Sequence, residues 1–273
     1  MQIQTPEQAA EKKEYKEALI DLLFQLADDD FIAAYRGSEW LGLSPHIEAD
    51  IAFASISQDT MGHAAIFYQL LEDLGAGSVD ELAHGRAAFE RKNSILLERV
   101  NGPGTYLTEP EYDWAFAVVR SYFYTVAKRI KMSSLMNSSY TPLADAAKRV
   151  NVELYYHHLH WKTWFIQLMS AGGEARVRME AAIKKVCADF ADIFSYGSLA
   201  NQITKHSLIE SSILLENQWI SVMKNVFESL NATLPDAFGK KSSCGRNGEH
   251  TQDLEDALDI LSEVYRFDPA AGW

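Results

Sequence analysis

The 273-residue sequence contains little cysteine: only Cys187 and Cys244 occur, far apart, and neither belongs to a Cys-x-x-Cys pair. Two isolated cysteines argue against a disulfide framework or a cysteine-based metal site and favour a reducing compartment, so we expect a cytoplasmic protein. The sequence also lacks an uninterrupted apolar run of about 18 residues, so no membrane span is predicted. Its polar N-terminus lacks the apolar stretch of a signal peptide.

Basic residues are outnumbered, because 25 lysines and arginines against 38 aspartates and glutamates give a formal net charge of -13. An acidic chain without a basic stripe repels phosphate backbones, so nucleic acid is not expected as a partner. The same charge favours solubility and suits a basic partner surface. Since 47% of the residues are hydrophobic, the chain is long and apolar enough to bury a large core.

No alternating β-strand pattern occurs in the sequence, whereas apolar residues recur with helical spacing almost throughout. Four long helices are predicted, at about residues 13–41, 45–74, 111–136 and 142–170. The joints within each pair are short, and a long connection at about 78–109 separates the pairs, as in a ferritin-like four-helix bundle with one long crossover. We predict an all-α, single ferritin-like domain over residues 1–273, with its core bundle at about 13–172 and additional C-terminal helices at about 174–273.

Two of these helices carry an acidic residue four positions ahead of a histidine: Asp59 before His63, and Glu153 before His157. Residues at i and i+4 lie about 40° apart around a helix axis, so each pair points to one face. An acid beside a neutral imidazole is able to bind iron, manganese or zinc. Two interpretations stay open at this point: a metal site, or couples that are hydrogen-bonded within each helix and line a helix interface.

Di-iron carboxylate proteins take a Glu from each of two bundle helices and a Glu-x-x-His motif from each of the other two. Here the residues three positions after the acids are Gly62 and Tyr156, which cannot replace histidine. The third helix is the larger obstacle, because it contains no aspartate or glutamate from Trp114 to Met136. A lysine or arginine that points inward from this helix would instead neutralise buried acids.

The first helix offers three adjacent acids, Asp28 to Asp30, as candidates for an inward-facing carboxylate. Asp28 is the residue we predict to face inward, because it lies close to the apolar stripe that contains Leu26 and Ala33. Three adjacent acids are otherwise typical of a solvated kink or of a helix end.

Several pieces of the sequence, spread from about residue 18 to the end, resemble the structural C subunits of bacterial phenylacetyl-CoA epoxidases (ring-1,2-phenylacetyl-CoA monooxygenases), which belong to the ferritin-like superfamily. Glu39-Trp40 and the tail Gly-x-x-Gly-x-His-Thr at 245–251 are the most specific of these pieces. The others are Arg36-Gly-Ser-Glu39-Trp40-Leu-Gly-Leu-Ser-Pro45, Glu48-Ala-Asp50, Asp59-x-x-Gly62-His63, Glu153-x-x-Tyr156-His157 and Pro269-Ala-Ala-Gly-Trp273.

The resemblance implies a relative of the di-iron catalytic subunit that has lost its metal ligands and that pairs with and supports this subunit. It implies that the complex epoxidises the ring of phenylacetyl-CoA, with oxygen and with electrons from NADPH delivered by a separate reductase. Under this resemblance Asp59 shortens a glutamate, Gly62 and Tyr156 stand at histidine positions, and Thr125 or a neighbour replaces the acid of helix three.

No catalytic residue, cofactor or metal is then expected in this chain, and the di-iron centre belongs to the partner subunit. The candidate remnants of the lost site are Asp28, Asp59, His63, Glu153 and His157.

Other interpretations are kept beside this one. The chain would be an enzyme in its own right if the same residues held one or two metal ions in an oxygenase or oxidase. A storage ferritin is a third class, although storage requires an uptake site with full carboxylates. A homodimer is a further assembly to consider. The role of a basic loop at residues 239–246 is left open by the sequence, and Lys240, Lys241 and Arg246 are candidates to test for contact with the partner subunit and with the phosphates of CoA.

Overall fold

The computed structural model describes residues 2–236 and 244–271. Over these residues the chain forms α-helices joined by turns and loops, with no β-strand, so the predicted all-α fold class is confirmed. None of the described helices is long and apolar enough to cross a membrane. In chain order the helices are α1 (Pro6–Ala10), α2 (Lys13–Ser38), α3 (Ile47–Asp73), α4 (Ile95–Glu98), α5 (Trp114–Leu135), α6 (Thr141–Ser170), α7 (Gly173–Ala188), α8 (Ala200–Lys205), α9 (Ser212–Ser229), α10 (Gln252–Leu261) and α11 (Glu263–Phe267).

The four long helices pack in two pairs, α2 against α3 and α5 against α6, and α3 also contacts α6. α2 faces α5 through an ion pair in which the Lys128 ammonium lies 2.7 Å from an Asp30 carboxylate oxygen. Large apolar side chains such as Phe67, Phe123 and Trp161 are buried between the helices. The long helices therefore share one core, in which apolar packing and charged pairs occur side by side.

α5 is enclosed because α7 and α9 cover the side that the other long helices leave open. The indole N–H of Trp219 on α9 donates to the carbonyl oxygen of Phe123 on α5, at 3.1 Å. Arg120 and Lys128 of α5 are consequently buried, with exposed fractions of 4% and 3%. A cation enclosed in this way needs an acidic or carbonyl partner inside the protein.

The connection between α3 and α5 does not form a long helix. Its backbone N–H groups at Lys92 and Ser94 donate instead to the carboxylates of Asp28 and Asp29 on α2, each at 2.8 Å. A continuous helix would withdraw these donors from the buried acids. The regular turns of this connection are α4, a π turn at Glu81–Gly85 and a 3-10 turn at Ala88–Glu90.

The chain segment before α10 is fastened to this connection by Glu98, whose side chain is fully buried. The Glu98 carboxylate accepts hydrogen bonds from the amide of Asn93 at 2.8 Å and from the backbone and hydroxyl of Thr251 at 2.7 and 2.9 Å. His250 donates from Nδ1 to Glu98 at 2.7 Å and from Nε2 to the carbonyl oxygen of Arg91 at 2.9 Å. Because both ring nitrogens face acceptors, the geometry suits a charged imidazolium.

Burial opposes a charge on His250, but the hydrogen bond and the charge of Glu98 outweigh it and raise the pKa of the imidazole above its ordinary value. A group whose pKa is raised by folding stabilises the protein fully below its unfolded pKa, and this contribution is lost as pH rises through the folded value. His250→Gln should therefore lower the free energy of unfolding by about 2 kcal/mol at mildly acidic pH, and by less at alkaline pH. Urea denaturation of both proteins across this range measures the difference, and a pH-independent difference would contradict the charged pair.

Candidate functional site

The two acid–histidine motifs meet at the interface between α3 and α6, and their hydrogen bonds cross between the helices. Nε2–H of His63 on α3 donates to Glu153 on α6 at 2.6 Å. Nε2–H of His157 on α6 donates to Asp59 on α3 at 2.9 Å. The couples predicted within each helix are thus replaced by couples between helices, because position 59 lies opposite 157 and position 63 lies opposite 153. Each histidine ties its own helix to the neighbouring one.

Both histidines are buried, whereas their acidic partners reach the surface. His63 and His157 are 1% and 3% exposed, but the side chains of Glu153 and Asp59 are 49% and 39% exposed. Burial, and then the nearby Lys128 ammonium, lower the pKa of His63 far below its ordinary value. Burial also lowers the pKa of His157, although the hydrogen bond to Asp59 opposes this shift. Both imidazoles are therefore neutral at physiological pH.

A buried lysine completes the cluster from α5. The Lys128 ammonium donates to Nδ1 of His63 at 2.9 Å and to Asp30 at 2.7 Å. The hydroxyl of Tyr124 donates to the same Asp30 oxygen at 3.0 Å. A continuous chain of hydrogen bonds thus runs from Asp30 through Lys128 and His63 to Glu153 at the surface. The third long helix of the sequence prediction, which is α5, contains no acid and was expected to point a lysine or arginine inward. Lys128 is that cation.

Asp30, not Asp28, is the first-helix acid that belongs to this cluster. The two residues differ by 200° around α2, so they cannot face the same neighbour. Asp30 follows Leu26 by four residues and precedes Ala33 by three, which places it on the apolar stripe that faces α5. The i,i+3 and i,i+4 spacing of a helix would have identified Asp30 from the sequence. The prediction used only closeness to the apolar stripe and therefore chose Asp28.

Asp28 is fully buried on another side of α2. It accepts hydrogen bonds from the Arg86 guanidinium and from the hydroxyl of Tyr68 at 2.7 Å, and Arg91 lies 3.5 Å away. Burial alone would raise the pKa of Asp28, but Arg86 and Arg91 outweigh this effect and lower the pKa below its ordinary value. Asp28 therefore lies apart from the acid–histidine cluster and remains ionised.

Asp29 points in a third direction and pairs with Arg246 from the segment before α10. Two guanidinium nitrogens of Arg246 lie 2.8 Å from the two carboxylate oxygens of Asp29, and Lys131 lies 3.8 Å away. The three adjacent aspartates are thus buried within α2, at 2% exposure or less, rather than at a solvated kink or helix end. The prediction of a solvated kink is wrong because three different elements each supply a cation.

The open question of the basic loop is answered for Arg246. Arg246 is 1% exposed and its guanidinium is enclosed by Asp29 and by backbone carbonyl oxygens, so it does not present charge to a partner or to CoA. Lys240 and Lys241 lie outside the described residues.

The space beside the cluster is small. A cavity of about 50 Å³ lies next to His157 and Lys128, and Thr60, Tyr124 and Thr125 contribute to its lining. This volume holds a few water molecules, whereas sites for drug-sized ligands occupy about 300–1,000 Å³. The cluster can hold charge and hydrogen-bonded water, but it has no room for a substrate as large as an aromatic CoA ester.

Over the described residues, the fold and the cluster define an all-helical protein in which the three buried aspartates of α2 are matched by internal cations. The chain belongs to the family of phenylacetic acid catabolic proteins, whose model matches residues 1–273. It is similar to the C subunit of 1,2-phenylacetyl-CoA epoxidase from Escherichia coli strain K12, with 26% identity over 253 residues that cover 91% of this chain and 96% of the relative. The family resemblance predicted from the sequence motifs is confirmed.

The central role of Lys128 generates a stability prediction. Lys128→Met should leave Asp30 as an unpaired buried charge and His63 without its donor, which costs about 3–5 kcal/mol of unfolding free energy. Chemical denaturation measures this loss. Lys224→Met is the matched control, because Lys224 is exposed on α9 and its replacement should change stability by less than about 0.5 kcal/mol.

A second substitution separates the lost charge pair from a simple packing defect. Adding Asp30→Asn to Lys128→Met removes the unpaired carboxylate, so the double variant should recover part of the lost stability. A double variant that is no more stable than Lys128→Met alone would show that the ion pair is not the source of the effect.

Proposed function

We propose that this chain is a non-catalytic structural subunit of a multicomponent phenylacetyl-CoA ring epoxidase in phenylacetate degradation, where it pairs with and supports the di-iron catalytic subunit. The observation that carries the proposal is the Lys128 ammonium, which lies among Asp30, His63 and the neighbouring acids in place of a further carboxylate. A cation that is part of the protein satisfies these groups without a metal ion. The similarity to the C subunit of an epoxidase supports the same assignment.

The donor set does not fit a di-iron centre. Both ring nitrogens of His63 are engaged, one by Lys128 and the other by Glu153, so no lone pair faces the bundle interior. α5 contributes a lysine where a two-metal site requires a carboxylate. Among the residues that the structure describes, no three histidine, cysteine, aspartate or glutamate side chains are grouped to hold a metal ion. We therefore assign the metal chemistry of the complex to the partner.

We infer that the bundle is ferritin-like and that the whole chain forms one domain. Two pairs of long helices, α2 with α3 and α5 with α6, are joined by one long connection, which is the connectivity of ferritin-like bundles. The family model that spans residues 1–273 supports a single unit. Two free, buried cysteines suit the cytoplasm, where we place the protein.

In this role the buried ion pairs would fix one relative position of the helices. A helix that slid by one residue would part Asp30 from Lys128 and Asp29 from Arg246, which leaves uncompensated charges in the core. A scaffold of this kind presents a constant outer surface to its partner, because its helices have only one position in which all charges are paired.

The alternative, a metal-dependent oxygenase or oxidase in its own right, is favoured by one observation. Asp59, His63, Glu153 and His157 do come together at one interface, and two of them reach the surface. Both ring nitrogens of His63 and Nε2 of His157 are, however, already engaged in hydrogen bonds, so we retain the structural subunit as the conclusion.

Elemental analysis of the purified chain, before and after mild chelation, tests the proposal directly. We expect iron, manganese and zinc far below one atom per chain in both samples. A tightly held, stoichiometric metal that disappears in the variant Asp59→Asn with Glu153→Gln would establish the alternative.

Activity of the assembled complex gives a second test that does not depend on metal content. Asp59→Asn with Glu153→Gln keeps an oxygen acceptor for each histidine, so the complex should assemble and turn over within about twofold of wild type. Loss of a group that supports a metal ligand would instead lower activity by about 10- to 100-fold. A correctly assembled but inactive complex would assign direct chemistry to these residues.

A further inference from the structure

Two adjoining grooves lie on the face formed by α2, α3 and α10. The larger groove, of about 540 Å³, lies between the end of α2, the loop at residues 100–112 and α10. The smaller groove, of about 270 Å³, lies between α2 and α3 and reaches Leu261. Tyr35, Ser38 and Leu41 line both, so the grooves form one continuous depression, which we call the α2–α10 groove.

The walls of the α2–α10 groove expose large apolar side chains. Leu107 is 88% exposed, and Leu41 and Ile260 are 54% and 58% exposed. Ile47 and Ile51, at the start of α3 beyond Leu41, are 72% and 65% exposed. Exposed apolar side chains that line one groove, as Leu41, Leu107 and Ile260 do, typically mark a site where another molecule binds.

The rim of the groove carries more acidic than basic side chains. Glu39, Asp256 and Arg36 line the larger groove, and Arg36 is paired with Glu39. The segments 37–61, 101–113 and 251–265 contain twelve aspartates and glutamates and no lysine or arginine, although Asp59 of this set is paired with His157 and Asp259 with the neighbouring Arg266. Exposed acids on α10 and α11 include Asp256, at the edge of the larger groove, and Glu263. The depression therefore combines an apolar floor with negative charge around it.

The floor of the groove is held in place by buried polar contacts. The Arg36 guanidinium bonds to Glu39 at 3.1 Å and to the carbonyl oxygen of Asp253 on α10 at 2.7 Å. The amide of Asn101 donates to the same Glu39 side chain at 2.8 Å. α2, the loop and α10 are thus linked directly to one another. This is a role for Arg36 and Glu39 that their place in the sequence motif does not reveal.

We propose that the α2–α10 groove is the docking site for an amphipathic helix of the catalytic subunit that presents an apolar stripe flanked by lysines and arginines. This inference rests on the proposed function and names the surface by which it is carried out. An apolar stripe fills such a groove with residues at helical spacing, and basic flanks complement the acidic rim.

The charge of the groove argues against two other occupants. A second copy of the chain in a two-fold contact would place the same acidic rim against itself, and this repulsion opposes a homodimer through this face. An acyl-CoA carries several negatively charged phosphates, which the rim repels. A basic protein partner is the occupant that the charge favours.

Binding of the catalytic subunit from the same organism to the purified chain tests the proposal by biolayer interferometry. Leu107→Ser with Ile260→Ser should raise the Kd at least tenfold, because both side chains lie on the apolar wall. Val177→Ser with Ile213→Ser is the matched control, since these residues are similarly exposed on α7 and α9, and it should leave the Kd unchanged. Circular dichroism and thermal unfolding confirm that each variant is folded.

Salt dependence and hydrogen exchange test the charge and the location independently. Association of the wild-type chain should slow between about 0.05 M and about 0.5 M salt, and Asp256→Lys should weaken this dependence. Peptides from residues 101–112 and 252–264 should become protected from exchange in the complex. The salt series and the exchange measurement use the wild-type chain, so they test the proposal even if a substitution impairs folding.

The results distinguish a failure of the groove proposal from a failure of the proposed function. A complex that forms with wild-type affinity in the Leu107→Ser and Ile260→Ser variant, or that protects only other segments, would overturn the groove and leave the structural role intact. A wild-type chain that binds no catalytic subunit would overturn both. Self-association abolished by the same variant, measured by sedimentation, would assign the groove to a second copy and overturn the proposal.

Discussion

The structure depends on how three consecutive buried carboxylates in α2 are neutralised. A helix turns by about 100° at each residue, so Asp28, Asp29 and Asp30 point in three directions and cannot share one cation. Each is therefore compensated by a different part of the chain: the connection between α3 and α5 through Arg86 and Arg91, the segment before α10 through Arg246, and α5 through Lys128. One short stretch of α2 thus fixes the positions of three elements that are distant in sequence.

The same demand explains why the connection between α3 and α5 is irregular. A regular helix satisfies its own backbone N–H groups, whereas the N–H groups of Lys92 and Ser94 serve the aspartates of α2. Glu98 at the end of α4 then accepts hydrogen bonds from His250 and Thr251, which attaches the segment before α10 at a second point besides Arg246. The apolar core supplies most of the stabilising burial, and a change in the relative position of the helices would leave the charges of these ion pairs uncompensated.

The sequence predicts the helices well, because helical periodicity and strong turn signals are local properties. Its two acid–histidine motifs were also found, and the acid-free third helix pointed to an internal cation. The partners of these groups could not be derived, since whether His63 bonds within α3 or across to α6 depends on how antiparallel helices align. Asp28 was predicted to face inward, but the burial of Asp29 and Asp30 was missed for a similar reason. The cations that pair with the three aspartates are 58 to 217 residues away in sequence, and composition carries no trace of such pairings. Arg246 was misjudged in the opposite sense. Its place in a basic loop suggested an exposed residue, but it is buried because it pairs with Asp29.

The pairing of Asp29 with Arg246 also has a consequence for biosynthesis. Arg246 is translated 217 residues after Asp29, so a growing chain can assemble its four long helices well before this cation exists. Among the described residues, the more distant Lys131 and the backbone N–H of Ser94 are then left to offset the charge of Asp29, and Glu98 lacks His250 and Thr251. The ion pair of Asp29 with Arg246 can therefore form only after most of the chain has been made. A nascent or truncated chain without the segment before α10 differs from the finished protein because the carboxylates of Asp29 and Glu98 lack their partners. Such a chain is less stable, and proteases remove less stable chains preferentially.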